Sequence, residues 1–203
     1  KVWEFNVNLA KEAVEEMGFH EIQFDYVRFP DRTIAAERDG LMLFQNDYNE
    51  EKAQAIQRFL MYACDELHQL GVYVSADVFG ESAYNYVTAY GQYWPAISNV
   101  VDVISGMPYP DHFNRYDFGF DVPVWTIPYE LLNHWGSNYV MKRQEEIPTP
   151  AGLRTWIQVY DVPGYKHPGG YAYKDEQIEA QIKGLFDAGL DGGYMTWLST
   201  SSL

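Results

Sequence analysis

Apolar residues in this chain switch repeatedly between two spacings, and that alternation limits the folds open to it. Asn6 to Gly18 carries Leu9, Ala10, Ala13, Val14 and Met17 on one helical face, with Gly18 as a stop. Glu21 to Pro30 then alternates strand-wise. Ile22, Phe24 and Tyr26 point one way, Gln23, Asp25 and Val27 the other, and Pro30 closes the run. Residues 51–70 return to helical spacing through Ala53, Ile56, Phe59, Leu60, Ala63, Cys64 and Leu67, ended by Gly71. Val72 to Phe79 alternates again, setting Val72, Val74, Ala76 and Val78 against Tyr73, Ser75 and Asp77. A shorter helix leads into a strand at 101–107, Pro128 to about Gln144 reads as helix, and Arg154 to Asp161 reads as strand. Ile178, Ile182, Leu185 and Phe186 mark a helix at 175–188, and Gly193 to Leu198 is a closing strand. Strand and helix in alternation predict an α/β fold, a parallel sheet wrapped by helices. Five strands are visible, whereas a complete eight-stranded barrel takes about 250 residues. The 203 residues therefore read as one domain, either a smaller open sheet or the later part of a barrel.

Charge narrows the ligands. Against 29 acidic residues stand 14 Lys and Arg, a net charge of −15 that repels phosphate backbones and anionic membranes. No nucleic-acid partner is expected, and a neutral or cationic ligand suits the surface better. The 17 Tyr and 6 Trp add to this. Tyr84, Tyr86, Tyr90, Tyr93, Trp94, Tyr109 and Trp135 sit near loops, where aromatic faces can stack on the C–H faces of sugars or simply tolerate half-burial. Cys64 is the single cysteine and lies on an apolar helical stripe, so it reads as a core thiol. No apolar run reaches the length of about 18 residues that a membrane span needs. No signal peptide is visible, and the chain starts without Met, which leaves room for an upstream targeting segment. There is no His-Glu-x-x-His helix, cysteine cluster, phosphate loop or Gly-x-Ser-x-Gly elbow, so neither a metal nor a cofactor is predicted. Asp111 and His112 are adjacent, but two residues make a weak metal site.

Two carboxylates stand out. Asp25 and Asp77 lie toward the carboxyl ends of consecutive strands, where βα-barrels place catalytic groups. Glycosidic cleavage uses such a pair, one protonating the leaving oxygen and the other attacking the anomeric carbon or activating water. Neighbouring strands are about 4.8 Å apart, so both the retaining separation of about 5 Å and the inverting one of about 6.5–9.5 Å are within reach. Glu81, Asp111 and Asp161 are rivals for the second role, although loop carboxylates also serve as turn and helix caps. Arg28 has the opposite strand parity to Asp25, which favours tying the loop to the sheet over holding a carboxylate ionised. His112 either meets a substrate hydroxyl or is a satisfied loop histidine. Trp197 either floors a sugar subsite or packs inside.

The run GFHEIQFDYVRFPD at 18–31 resembles the signature of the DUF4015 family, βα-barrels of glycoside hydrolase type. Further blocks match in order: SADVFG at 75–80, YGQYW at 90–94, DVISGMPYPDHF at 102–113, WIQVYD at 156–161 and DAGLDGGYMTWLSTSS at 187–202. The resemblance implies a partial (β/α)8 TIM-type barrel, strands four to eight with the first three absent. Residues 1–203 would then be one glycoside-hydrolase-like domain, incomplete at its amino end. It also implies a carbohydrate substrate, a secreted or cell-envelope location, and a cleft lined by Asp25, Arg28, Asp77, Gln92, Tyr109, His112, Gln158 and Trp197. By analogy with other barrels, Asp25 would be nucleophile or base and Asp77 the acid. Five barrel strands leave unpaired edges, so the segment is expected to need the missing strands, a second chain or another copy of itself. Two other functions fit the same residues: a non-catalytic carbohydrate-binding or scaffold domain, and a metal-dependent polysaccharide deacetylase built on an Asp/His cluster.

Overall fold

The computed structural model describes residues 1–30, 33–41 and 50–198. Parts of the polar loop between Pro30 and Asn49, and the end of the closing sequence block, lie outside the described residues. The elements run α1 (Val2–Met17), β1 (Glu21–Phe24), α2 (Thr33–Arg38), α3 (Lys52–His68), β2 (Tyr73–Phe79), α4 (Trp94–Ser98) and β3 (Val103–Met107). They continue with α5 (Pro128–Trp135), α6 (Met141–Glu145), β4 (Gly152–Leu153), β5 (Thr155–Gln158), α7 (Asp175–Asp187) and β6 (Tyr194–Trp197). The fold is α/β, with parallel pairing of β1 with β2 and of β5 with β6. Two compact units divide the chain: Lys1–Ser105 with Arg143–Gly152, and Gly106–Lys142 with Leu153 onward.

In the first unit α1 ends where Gly18 turns left-handed (φ 72°) and returns its N–H to the Val14 carbonyl, a conformation glycine adopts without a Cβ penalty. The helix lies on α3, with the Trp3 ring 5.9 Å from Phe59. It buries Val7 and Ala10, whereas Leu9 (56 % exposed) and Met17 (73 % exposed) of the expected apolar face point to solvent. The stripe on α3 holds as expected, with Ile56, Leu60, Ala63, Cys64 and Leu67 buried. Each such leucine contributes about 1.5–3 kcal/mol by leaving water. Cys64 is a core thiol, its pKa pushed up to about 12 chiefly by burial, with Asp102 and Asp65 adding to it. Asp102 joins the end of α3 to the sheet: its Oδ2 accepts the Val74 N–H at 2.7 Å and lies 2.8 Å from His68 Nε2.

The four-stranded sheet has the order β1-β2-β3-β4. Val74, Ala76 and Val78 are buried on one face of β2, and Ser75 and Asp77 are buried on the other. That is the pattern of a parallel strand covered on both sides. The polar face is held by hydrogen bonds: Ser75 Oγ donates to Glu21 Oε1 (2.7 Å) and Gln23 Nε2 to Ser105 Oγ (3.1 Å). β1 stops at Phe24, six residues before the expected stop at Pro30. The cause is Tyr26, whose left-handed φ of 54° ends the extended run.

In the second unit β5 pairs β6 in the register Thr155↔Tyr194 to Gln158↔Trp197. β5 also ends early, at Gln158, so Asp161 lies in the following loop. Gln181 of α7 completes the strand's backbone bonding. Its Oε1 accepts the Gln158 N–H (3.0 Å) and its Nε2 donates to the Gln158 carbonyl (2.8 Å), satisfying two groups that burial would otherwise penalise. α7 packs against α5 through Gly184, where a Cβ would stand 2.5 Å from the Tyr129 carbonyl oxygen. Phe186, expected on the apolar face, is 65 % exposed. The helix expected from Pro128 to about Gln144 carries a π-helical turn at Gly136–Val140 between α5 and α6. Among the described residues no helix is long and apolar enough to cross a membrane.

Candidate functional site

The β1–β2 register ends at Phe24↔Ala76. Asp25 and Asp77 are the next residues on each chain segment, Asp25 just past the end of β1 and Asp77 inside β2. Their surroundings differ. Asp25 is exposed, and its Oδ1 accepts the Tyr26 N–H at 2.6 Å. It lines an open cavity of about 330 Å³ together with Arg28, Tyr26, Trp3, Phe29 and Phe59. Asp77 is buried.

Arg28 spreads its guanidinium over three rings, 5.4 Å from Tyr26, 5.3 Å from Phe79 and 5.9 Å from Tyr90. Its Nη1 donates to the Phe29 carbonyl at 3.2 Å. Cation–π contact and a backbone bond together fasten the loop after β1 to the end of β2, in line with the loop-tying role. Gln92 is a second fastener. Its Oε1 accepts the Phe79 N–H (2.9 Å), and its Nε2 donates to the carbonyls of Val27 (3.1 Å) and Asp77 (3.4 Å). Both amide hydrogens are thereby used on backbone groups, so Gln92 positions the two carboxylate-bearing segments. Past β2, Glu81 sits half-buried in the turn Gly80–Ala83. Its Oε1 accepts the Tyr86 hydroxyl and its Oε2 the Tyr90 hydroxyl, each at 2.9 Å.

In the second unit Gln158 and His112 meet a buried Asp111, and Tyr109 packs on His112. Asp111 Oδ1 accepts the Tyr160 hydroxyl at 2.9 Å, and Oδ2 lies 3.4 Å from Lys166 Nζ. Gln158 Oε1 accepts the Asp111 N–H (3.0 Å), while its Nε2 donates to the Tyr160 carbonyl (2.9 Å). Like Gln92, it ties loop backbones together. His112 is half-exposed, with its Nε2 3.5 Å from Asp111 Oδ1 and its ring edge-on to Tyr109 at 5.2 Å. Partial burial holds its pKa below the usual imidazole range. Asp111 opposes that shift, and Lys166 and His167 reinforce it. His167 donates from Nε2 to the Asp111 carbonyl (2.7 Å) and rests on the Trp125 ring at 3.8 Å. Trp197 is 45 % exposed and meets Trp156 edge-on at 6.3 Å. Asp161 Oδ1 accepts the Tyr173 N–H at 2.8 Å, which is the work of a turn cap.

Tyr160, Lys166, His167 and Trp125 were not singled out from the sequence. Tyr160, Lys166 and His167 share the loop between β5 and α7 without motif spacing, and the His167–Trp125 stack spans residues that no local pattern links. Among the described residues no group of three His, Cys, Asp or Glu side chains is placed to hold a metal ion.

Burial also suppresses the acidity of several phenols. Tyr86 is raised to about 12, and Tyr90, Tyr160 and Tyr173 are raised further, with Glu81 or Asp111 among the additional causes. Above the ordinary tyrosine value of 10.0, the folded state keeps protons that the unfolded chain releases. This stabilisation is complete below that pH and is lost as pH rises. In an alkaline titration followed by phenolate absorbance, Tyr90, Tyr160 and Tyr173 should ionise only as the chain unfolds. Smooth ionisation of every tyrosine near pH 10.0 in a still-folded chain would contradict that.

No curated protein matches the chain. Solved structures do match, at low identity. The spore cortex-lytic enzyme SleL of Bacillus megaterium QM B1551 superposes with a TM-score of 0.57 at 16 % identity, over 97 % of this chain and 49 % of that one. The glycoside hydrolase domain of PgaB (BpsB) from Bordetella bronchiseptica gives 0.56 at 13 %, over 95 % and 56 %. A GH18 chitinase from Pseudoalteromonas aurantia gives 0.52 at 13 %, over 94 % and 60 %. The fold is therefore similar to that of glycoside hydrolase catalytic domains, and the chain spans about half to three-fifths of their length. The family model described as a putative glycosyl hydrolase domain, DUF4015, matches residues 1–202. The chain belongs to the DUF4015 family.

Proposed function

We propose that this chain is a glycoside hydrolase domain that cleaves a polysaccharide or oligosaccharide with Asp25 and Asp77. The register of β1 with β2 supports the reading, since its last pair, Phe24 and Ala76, immediately precedes Asp25 and Asp77, of which the first is exposed and the second buried. Paired carboxyl groups in unlike surroundings suit unlike roles. The exposed Asp25 serves as nucleophile or base, and the buried Asp77 as the acid that protonates the leaving oxygen. Arg28 and Gln92 hold the two segments in place. Tyr109, His112 and Trp197 are substrate-binding residues in the same reading, His112 and Trp197 having surface open to a ligand, whereas Gln158, like Gln92, holds loop backbones. The parallel strands with intervening helices are taken as part of a (β/α)8 barrel in which β1 is the fourth strand, with the reacting groups at the carboxyl ends.

The test is release of new reducing ends from a panel of bacterial and plant polysaccharides by the complete protein. Release establishes hydrolysis, and the anomer formed first separates retention from inversion. Retained glycan binding without release would instead make the domain a binding module. Release of acetate that depends on an added metal ion would favour a deacetylase.

A further inference from the structure

Glu81 lies two residues past the end of β2, near the Asp25–Asp77 pair in sequence and in the same unit. Its carboxylate is held at both oxygens. Tyr86 Oη donates to Oε1 and Tyr90 Oη to Oε2, both at 2.9 Å. A phenol has one hydrogen to give, and these two give theirs to Glu81. The tyrosines are themselves fixed. Tyr90 packs edge-on against Phe79 (5.3 Å) beside the Arg28 guanidinium, and its carbonyl accepts the Phe29 N–H. Tyr86 meets Tyr84 edge-on at 5.9 Å and is 46 % exposed. The loop carrying both rings is closed by Thr88, whose N–H and hydroxyl both donate to the Gln92 carbonyl, and Gln92 in turn is tied to β2.

Two phenol donors reach the carboxylate, one at each oxygen. They occupy one lone pair on each oxygen and leave a second on each, and a carboxylate in this state only accepts. Glu81 is half-buried, so a ligand can still reach it, and the ligand group it meets must be a donor. The flanking Tyr84, Tyr86 and Tyr90 present ring surface of the kind that stacks on sugar C–H faces. The chain's net charge of −15 acts in the same direction, against anionic polymers.

We infer that Glu81, cradled by Tyr86 and Tyr90, is a specificity-determining subsite that takes sugar hydroxyl or ammonium groups and excludes sugars bearing carboxylate or phosphate. The inference rests on the glycoside-hydrolase reading for its placement beside the reacting groups, and it can be tested without turnover.

The experiment is affinity electrophoresis of the Asp25→Asn protein in gels containing hydroxyethylcellulose (neutral), glycol chitosan (cationic) or polygalacturonate (anionic). Retardation is expected with the neutral or the cationic polymer and not with polygalacturonate. Adding Glu81→Gln should weaken the retained interaction about tenfold, the loss of one charge-assisted hydrogen bond, and narrow the discrimination against polygalacturonate. Preferential loss on glycol chitosan would identify the donor as ammonium, and equal loss on both polymers would identify it as hydroxyl. Tyr86→Phe with Tyr90→Phe should give a smaller loss in the same order of polymers, because the carboxylate remains but is no longer fixed.

An unchanged polymer preference in a folded Glu81→Gln variant overturns the subsite and leaves the carboxylate as a loop tie. Binding of polygalacturonate by the parent, or retardation by none of the three polymers, overturns it as well. Failure of the hydrolase reading has a different signature: the Glu81-dependent preference stays intact while the complete protein releases no reducing ends.

Discussion

An Asp25→Asn variant is expected to release reducing ends at least about a thousandfold more slowly than its parent, as removal of a nucleophile or essential base does. Stability should change by less than about 1 kcal/mol, as for most exposed substitutions. Asp25 is exposed, and its Oδ1 accepts the Tyr26 N–H at 2.6 Å. Asparagine keeps a carbonyl oxygen for that bond and removes the charge. Loss of activity with a native melting curve therefore reports chemistry rather than unfolding. Asp77→Asn serves as the companion variant. Because Asp77 is buried, its replacement should lower both activity and melting temperature, and the two effects must be separated by assaying well below the transition. If Asp25→Asn keeps more than about a tenth of the parental rate, a difference of less than 1.4 kcal/mol in the barrier, the assignment fails. Glu81 would then be the next carboxylate to replace.

Gly184→Ala should destabilise the chain by about 3 kcal/mol, at the upper end of ordinary overpacking. The sign is the diagnostic part. Within a helix, Gly to Ala is normally a gain of roughly 0.8–1 kcal/mol, because alanine loses less backbone entropy. At residue 184 the added Cβ would stand 2.5 Å from the Tyr129 carbonyl oxygen and 3.2 Å from its Cα and carbonyl carbon. These are backbone atoms of the first turn of α5, so no side-chain rotation relieves the clash and the helices must separate. Separation would also stretch the bond from Asn133 Nδ2 to the Gly184 carbonyl, now 3.2 Å. Urea melts of the variant should show a lower midpoint. A neutral or stabilising result would show that α5 and α7 sit further apart than this contact requires.

Local physics made much of this molecule legible from its sequence. The helical stripe from Ile56 to Leu67, the stop at Gly18 and the alternation in Val72 to Phe79 each depend on side-chain spacing along one element. Spacing survives whatever the element packs against. The order of strands and helices followed from the same signals, as did the pairing of the consecutive strands that precede Asp25 and carry Asp77. The core setting of Cys64 came from its place on a stripe.

Other features depend on which segments meet, and only the tertiary structure decided them. β1 ends at Phe24 because Tyr26 turns left-handed, a backbone state that a non-glycine residue rarely adopts and that no pattern in the run announces. Leu9, Met17 and Phe186 fit an apolar period yet face water, since the partner helix covers a narrower strip than the period allows. Gln92 and Gln158 were expected as cleft residues from the family resemblance. Their amide groups are instead joined to backbone groups as far away as Val27 and Asp111, and burial makes such bonds obligatory for both partners. Spacing along the chain determined the elements and their order. Contact between distant segments decided which polar side chains remained available to a ligand and which were used to hold the fold.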